Sequence, residues 1–166
     1  RWNHDSFKLA ITHWYRSRYD AKIKPDWIVY SPSVMYTISK LIEILTEEND
    51  QIVLQVPAYD AFFNTIQASN RKLLPNPLMY SAGTYTLDFE QLEKLLADEK
   101  TKVLLLCNPH NPTGRVWDEQ ELKTIVELCA KYHVNILSDD IHMDFAFTKK
   151  FIPITEIAID LNHVFI

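Results

Sequence analysis

Cys107-Asn108-Pro109-His110-Asn111-Pro112-Thr113-Gly114-Arg115 follows directly on the apolar run Lys102-Val103-Leu104-Leu105-Leu106. A short buried strand therefore runs into a stiff turn. Pro109 and Pro112 fix φ and remove two backbone donors, and Gly114, one of 2 glycines in the chain, takes φ > 0 at little cost. Asn111 is displayed from a rigid loop at the carboxyl end of a strand. In open α/β sheets that edge is where ligands bind.

The rest of the chain alternates in the same way. Residues 5–19 carry Phe7, Ile11, Trp14 and Tyr15 at helical spacing, with Asp5 as the expected N-cap. After the turn Lys24-Pro25-Asp26, the run Trp27-Ile28-Val29-Tyr30 predicts a short strand. Ser31-Pro32-Ser33 reads as a helix start, and Val34, Ile38, Leu41, Ile42 and Leu45 share one face of the helix that follows. Gln51–Val56 is a second strand, ended by Pro57. Residues 59–68 read as a helix, Arg71–Leu74 as a short strand and Tyr85–Leu87 as an extended run. Asp88 with Gln91 resembles a capping box, and Asp118 with Glu121 marks another helix start, each ahead of an amphipathic helix. Ile136-Leu137 leads a strand into Ser138-Asp139-Asp140-Ile141-His142. Phe145–Phe147 has no clear period. Strands alternating with helices predict an α/β fold of three layers, α/β/α, around a mainly parallel sheet. Such a sheet gathers four turns, Ser31–Met35, Pro57–Tyr59, Cys107–Gly114 and Ser138–His142, at one edge.

The chain of 166 residues suffices for one domain with a real core, and 47% apolar with 23% charged residues is ordinary for a globular protein. A net charge of -5 argues against a nucleic-acid partner. No apolar run approaches membrane-spanning length. Cys107 and Cys129 fall in a strand and a helix, which argues against a disulfide framework and for a reducing, cytoplasmic setting. The chain opens on Arg1-Trp2 and closes on His163-Val164-Phe165-Ile166, the first half of a strand, so the expectation is a piece of a larger protein.

Each turn has a chemical reading and a plainer one. Ser31–Met35 offers helix-terminal amides and hydroxyls that suit a phosphate, or is an ordinary cap. Tyr59 can stack on a flat ligand, or is a core aromatic. Asn111 can donate to a ligand oxygen, or satisfies its own turn. Asp139 and Asp140, with His142 and Asp144 behind them, suit a metal, a protonated heterocyclic nitrogen, or a solvated strand end.

Taken together, Ser31-Pro32-Ser33-Val34, Pro57 to Phe63, Cys107 to Trp117 and Ser138 to His142 resemble the fold-type I pyridoxal-phosphate (PLP) enzymes of the class I/II aminotransferase family. Pro-His-Asn-Pro-Thr-Gly-Arg-Val-Trp and Asp-Ile-His are most similar to its cystathionine β-lyase-like (C–S lyase) subgroup. The resemblance implies that Asp139 pairs with the pyridine nitrogen, that Asn111 bonds the ring's 3-oxygen and that Tyr59 stacks on the ring. It implies further that Ser33, Val34 and Met35 cradle the phosphate and that His142 stands where many aminotransferases carry a tyrosine. It also allows a cis Asn111–Pro112 bond. Residues 1–166 would be part of the PLP-binding large domain, without the C-terminal small domain. The implied activity of the full-length protein is α,β-elimination of a sulfur amino acid to pyruvate, ammonia and a thiol, in a homodimer. Transamination is the alternative, and a non-catalytic cofactor-binding or regulatory module is the alternative of another class; a metallohydrolase using Asp139, His142 and Asp144 is a third.

The sequence departs from the family pattern at three places. Asp140 stands where the subgroup usually has Glu. The Ser-x-Ser-Lys motif that supplies the Schiff-base lysine is absent: Lys40 follows Ser39 but lies inside a helix, and Lys149 and Lys150 lie too close to His142. The N-terminal segment carrying a tyrosine for the neighbouring subunit is missing. The expectation is that the chain alone does not turn over, so no catalytic residue and no metal ligand is assigned to it.

Overall fold

A computed structural model describes residues 5–147, 149–158 and 161–166. Its centre is a five-stranded sheet in the order β2-β1-β5-β6-β7. The strands are β1 Gln51–Val56, β2 Lys72–Pro77, β5 Thr101–Cys107, β6 Asn135–Asp139 and β7 Val164–Phe165. All four pairings in it are parallel. A separate antiparallel hairpin joins β3 Met79–Ser81 to β4 Thr84–Thr86. The helices are α1 Asp5–Tyr19, α2 Val34–Leu45, α3 Asp60–Ala68, α4 Phe89–Leu96 and α5 Glu119–Lys131.

Strand alternation explains the three layers. Ile52 and Leu54 of β1 point to one face with Val103 and Leu105 of β5, and there meet Ile38 and Ile42 of α2 and Phe62 and Ile66 of α3. Val53, Leu104, Leu106 and Ile136 point to the other face and meet Leu92 and Leu96 of α4 and Leu122, Ile125 and Cys129 of α5. A smaller cluster of Tyr15, Tyr19, Ala21 and Phe151 fastens α1 to the later chain.

Local chemistry sets the element boundaries. Ser33 is extended (φ -162°, ψ 157°), and its hydroxyl accepts from the Tyr36 amide at 3.2 Å, so it caps α2. Asp118 accepts from the Glu121 amide at 3.0 Å while Glu121 Oε2 accepts from the Asp118 amide at 2.9 Å, a complete capping box for α5. Asp88 makes the forward half of the same motif, accepting from the Gln91 amide at 2.9 Å. Cys107 and Cys129 are free and buried.

Several expectations are corrected. Asp5 lies within the first turn of α1 and is not its cap. Trp27–Tyr30 forms no strand. Pro25–Trp27 closes a 3-10 turn with Ile28 N bonded to Pro25 O at 3.1 Å, and Val29 is left 85% exposed. The strand expected at Arg71–Leu74 starts at Lys72 and runs on through Pro75 to Pro77. Two prolines are tolerated there because β2 is an edge strand, with one side free of ladder bonds. The hairpin lies where only an extended run was expected; Ala82 (φ 49°) and Gly83 (φ 80°) make its tight turn. Met143–Phe145 is a 3-10 turn.

Candidate functional site at the carboxyl edge of the sheet

The chain leaves β1 through α3 toward β2 on one side, and leaves β5 through α5 toward β6 on the other. The order reverses between β1 and β5, which makes their crevice the topological switch point where open α/β sheets bind ligands. Pro57-Ala58-Tyr59 leaves β1 at that edge, Asn108–Gly114 leaves β5, and Asp140-Ile141-His142 leaves β6. The N-terminus of α2 comes to the same edge: Val34 and Thr37 line a cavity of about 240 Å³ together with Leu105, Leu137, Asp139 and Asp140.

Asp139 ends β6 and is 9% exposed. Its Oδ1 accepts from the Ile141 amide at 3.1 Å, and its carbonyl accepts from the Asn108 amide at 3.0 Å. The turn carrying Asn111 is thus fastened to the strand end carrying Asp139. Burial pushes the Asp139 carboxyl up, against the Ile141 amide and the nearby His142, which hold it down. Asp140 is more deeply enclosed. Ser138 Oγ donates to its Oδ1 at 2.5 Å, while Oδ2 is buried with no protein partner. Its carboxyl is pushed up to about 7, chiefly by burial.

The Asn108–Gly114 turn is over-determined. Gly114 N donates to His110 O and His110 N to Arg115 O, both at 2.7 Å, and Gly114 takes φ 69°. Trp117, fully buried, donates from Nε1 to Cys107 O at 2.9 Å and from its amide to Asn108 Oδ1 at 3.3 Å. The Asn111 amide donates to Cys107 Sγ at 3.4 Å. The peptide bonds before Pro57, Pro109 and Pro112 are cis. Asn108 is buried behind the turn and Asn111 is partly exposed, so Asn111 is the side chain on display.

Tyr59 caps α3, is 48% exposed and meets Phe62 edge-on at 5.6 Å between centroids. Its ring face is open to a ligand rather than sunk in the core. Ser33 and Met35 flank Val34 at the start of α2, where the first amides have no preceding carbonyl in the helix to bond. His142 is half-buried and faces Phe145 edge-on at 6.4 Å. The structure brings Val34 and Asp139 to one cavity and joins the Asn111 turn to Asp139. It sets Tyr59 and His142 on the same sheet edge, outside the lining of that cavity.

Asp144 Oδ1 accepts from the Tyr19 hydroxyl and, at 3.3 Å, from Trp14 Nε1. No group of three His, Cys, Asp or Glu among the described residues is placed to share a metal ion. Lys40, the lysine that follows a serine, pairs with Glu43 at 2.6 Å on the outer face of α2. Sequence reasoning missed His110 and Gln55, both buried beneath the site. Their one sequence signal is a polar residue, Gln55, interrupting the apolar run Ile52-Val53-Leu54 and Val56.

A parallel sheet flanked by helices, with a buried acid, a displayed amide and a helix N-terminus gathered at its switch-point edge, defines a three-layer α/β domain with a candidate ligand site. Residues 1–165 match the family described as aminotransferase class I and II, and the chain belongs to that family. It is 38% identical to Protein MalY of Escherichia coli over 159 residues, 95% of this chain and 41% of that protein. It is 36% identical to cystathionine beta-lyase PatB of Bacillus subtilis over 158 residues, again 95% of this chain and 41% of the relative. Cystalysin from Treponema denticola, solved with a pyridoxal 5'-phosphate cofactor, superposes with a TM-score of 0.92 at 31% identity, covering 97% of this chain and 41% of that one. The chain spans about two fifths of the length of the curated relatives it matches. Among the described residues no helix is long and apolar enough to cross a membrane.

Proposed function

We propose that the whole protein is a PLP-dependent C–S β-lyase of the cystathionine β-lyase type, and that this chain is most of its cofactor-binding large domain. The observation that carries the reading is Asp139: a buried carboxylate at the end of β6, on a cavity wall shared with the N-terminus of α2. An acid in that place suits a protonated ring nitrogen, and amides at a helix start suit a phosphate. The donor set fits PLP.

Asp139 would hold the pyridine nitrogen protonated, with the Ile141 amide fixing the carboxylate's orientation. Asn111, stiffened by its turn, would bond the ring's 3-oxygen, with His142 supporting it. Tyr59 would cover one ring face, and Ser33, Val34 and Met35 would hold the phosphate through backbone amides. When bound, PLP supplies an electron sink for charge developing at the substrate Cα. The substrate is a sulfur amino acid, and elimination releases a thiol with pyruvate and ammonia. Transamination is the second reading, favoured by the aminotransferases for which the matched family is named. Two buried free thiols agree with a cytoplasmic location. Exposed Trp14, Trp27, Tyr30, Tyr36 and Phe147 agree with a homodimer that covers them, which sedimentation of the purified protein measures.

The test uses the full-length protein. Incubation with PLP should give bound-cofactor absorbance, and cystathionine should yield thiol and pyruvate without an added 2-oxo acid. D139N should lower the rate at least about a hundredfold while leaving the fold intact by circular dichroism. Amino transfer that depends on a 2-oxo acid, with no thiol released, selects the second reading. Absence of PLP binding defeats both.

A further inference from the structure

We propose that Asp144 is a positioning residue: its carboxylate, bound by Trp14 and Tyr19 of α1, clamps the turn that follows β6 and so fixes His142 at the edge of the site. The consequence for the cofactor rests on the function proposed above; the clamp itself does not.

The turn has to be held from outside. β6 ends at Asp139, and among the described residues the chain from there to β7 forms only 3-10 turns of three residues each. The hydrogen bonds that shape the start of this stretch are local. The Ile141 amide donates to Asp139 Oδ1 at 3.1 Å, and the Met143 amide to Asp140 O and the Phe145 amide to His142 O, both at 2.8 Å. Such bonds set the form of the turn and leave its place on the molecule open. Met143 and Ala146 pack partly against the α1 cluster, while Ile141 and Phe145 stay 60% and 64% exposed.

Asp144 supplies the long-range tie. Its Oδ1 accepts from the Tyr19 hydroxyl and from Trp14 Nε1, across 125 and 130 residues of chain. The stronger-held donor stands on a fixed base. Tyr19 ends α1 at 9% exposure, with its ring edge-on to Tyr15 at 5.9 Å and to Phe151 at 5.2 Å. Just beyond it, the Lys22 amide donates to Glu156 Oε1 at 2.9 Å, a second tie between the end of α1 and the later chain. A carboxylate suits the place. It only accepts, one oxygen can take both donors, and hydrogen bonds to a charged acceptor are about twice as strong as neutral ones. Asp144 lies inside the turn that the Phe145 amide closes onto the His142 carbonyl, so a hold on Asp144 is a hold on the His142 backbone.

Variants of the full-length protein test the clamp. D144A removes the acceptor, D144N keeps an oxygen in place without the charge, and Y19F removes one donor from the far end of the contact. In D144A the amides of Met143 and Phe145 should exchange about tenfold faster, while Ile136 and Leu137 stay protected; Y19F and D144N should show smaller rises. The double variant D144A/Y19F should exchange no faster than D144A, because the Tyr19 bond is already gone. Fluorescence titration should give PLP binding weakened about fivefold in D144A, less in D144N, and no further weakening when D144A is added to H142A. Wild-type exchange in both D144A and Y19F overturns the proposal, as do additive rises in D144A/Y19F. An equal loss of PLP affinity from D144A with and without His142 overturns it too, since Asp144 would then act by another route. If D144A does not fold, Y19F decides alone, because it loses a single oxygen atom. A wild type that binds no PLP defeats the functional reading, and the exchange results still decide the clamp. A wild type that binds PLP, with D144A binding it equally well, defeats the positioning role and leaves the function standing.

Discussion

At the scale of single residues, the two thiols show how position controls chemistry. Cys107 closes β5 beside the site, yet burial pushes its thiol up to about 12, and Cys129 is raised further inside α5. A thiol attacks as its thiolate, so both should resist DTNB at pH 8 in the native protein and react fully in denaturant; peptide mapping reads each separately. Native labelling of Cys107 would show that its turn opens. Asp139 and Asn111 were legible as candidates because Asp139 closes the strand β6 and Asn111 stands in the turn that follows β5, where chemistry is displayed. Gln55, His110 and Tyr15 were not. Gln55 and His110 come from different parts of the chain and are buried only in the assembled sheet, and Tyr15 of α1 and Asp140 come together only as walls of the assembled cavity. No local pattern encodes either placement.

At the scale of elements, α5 has its start joined to the site. Glu121 serves twice: Oε2 completes the capping box on the Asp118 amide, and Oε1 pairs with Arg115 Nη2 at 2.5 Å, a contact whose two side chains are 14% and 13% exposed. The Arg115 guanidinium also lies 4.6 Å from the Trp117 ring centroid. D118A removes a cap and should lower stability by about 1 kcal/mol. E121A removes half a cap and strands a mostly buried guanidinium, and should cost about 3 kcal/mol; equal losses in urea melts would disprove the dual role. Periodicity and caps made α2, α3, α4 and α5 readable, and apolar runs between polar turns did the same for β1, β5 and β6. The Trp27–Tyr30 run misled because strand propensity is realised only where a ladder partner exists. The hairpin escaped because its two strands have three residues each, too short for alternation to register.

Stability against pH belongs to the whole molecule, since two buried groups at the site pull in opposite directions. His110 is pushed down to about 4 by burial, from 6.5 when free. Between these values the unfolded chain takes up a proton and the folded chain does not. This contribution is therefore full above 6.5 and falls away toward pH 4, a loss of about 3 kcal/mol. Asp140 does the reverse. Burial raises its carboxyl from 3.8 to about 7, the Ser138 bond opposes the rise, and the Asp139 charge adds to it. Between those values the folded chain holds a proton that the unfolded chain has released. Stability from this group is present in acid and lost as pH rises through 7, by about 4 kcal/mol. The two windows overlap between pH 4 and 6.5, and the wild type masks both. D140N deletes the second contribution. Relative to wild type it should gain stability as pH rises to 8 and lose that advantage toward pH 4. H110F deletes the first, and relative to wild type its stability should improve steadily as pH falls from 6.5 to 4. Urea denaturation of the three proteins across this range measures the differences, and groups common to all three cancel. Parallel curves for D140N and wild type would mean that Asp140 finds a partner for its buried Oδ2 in the folded protein and keeps its proton no more tightly than a free carboxyl does.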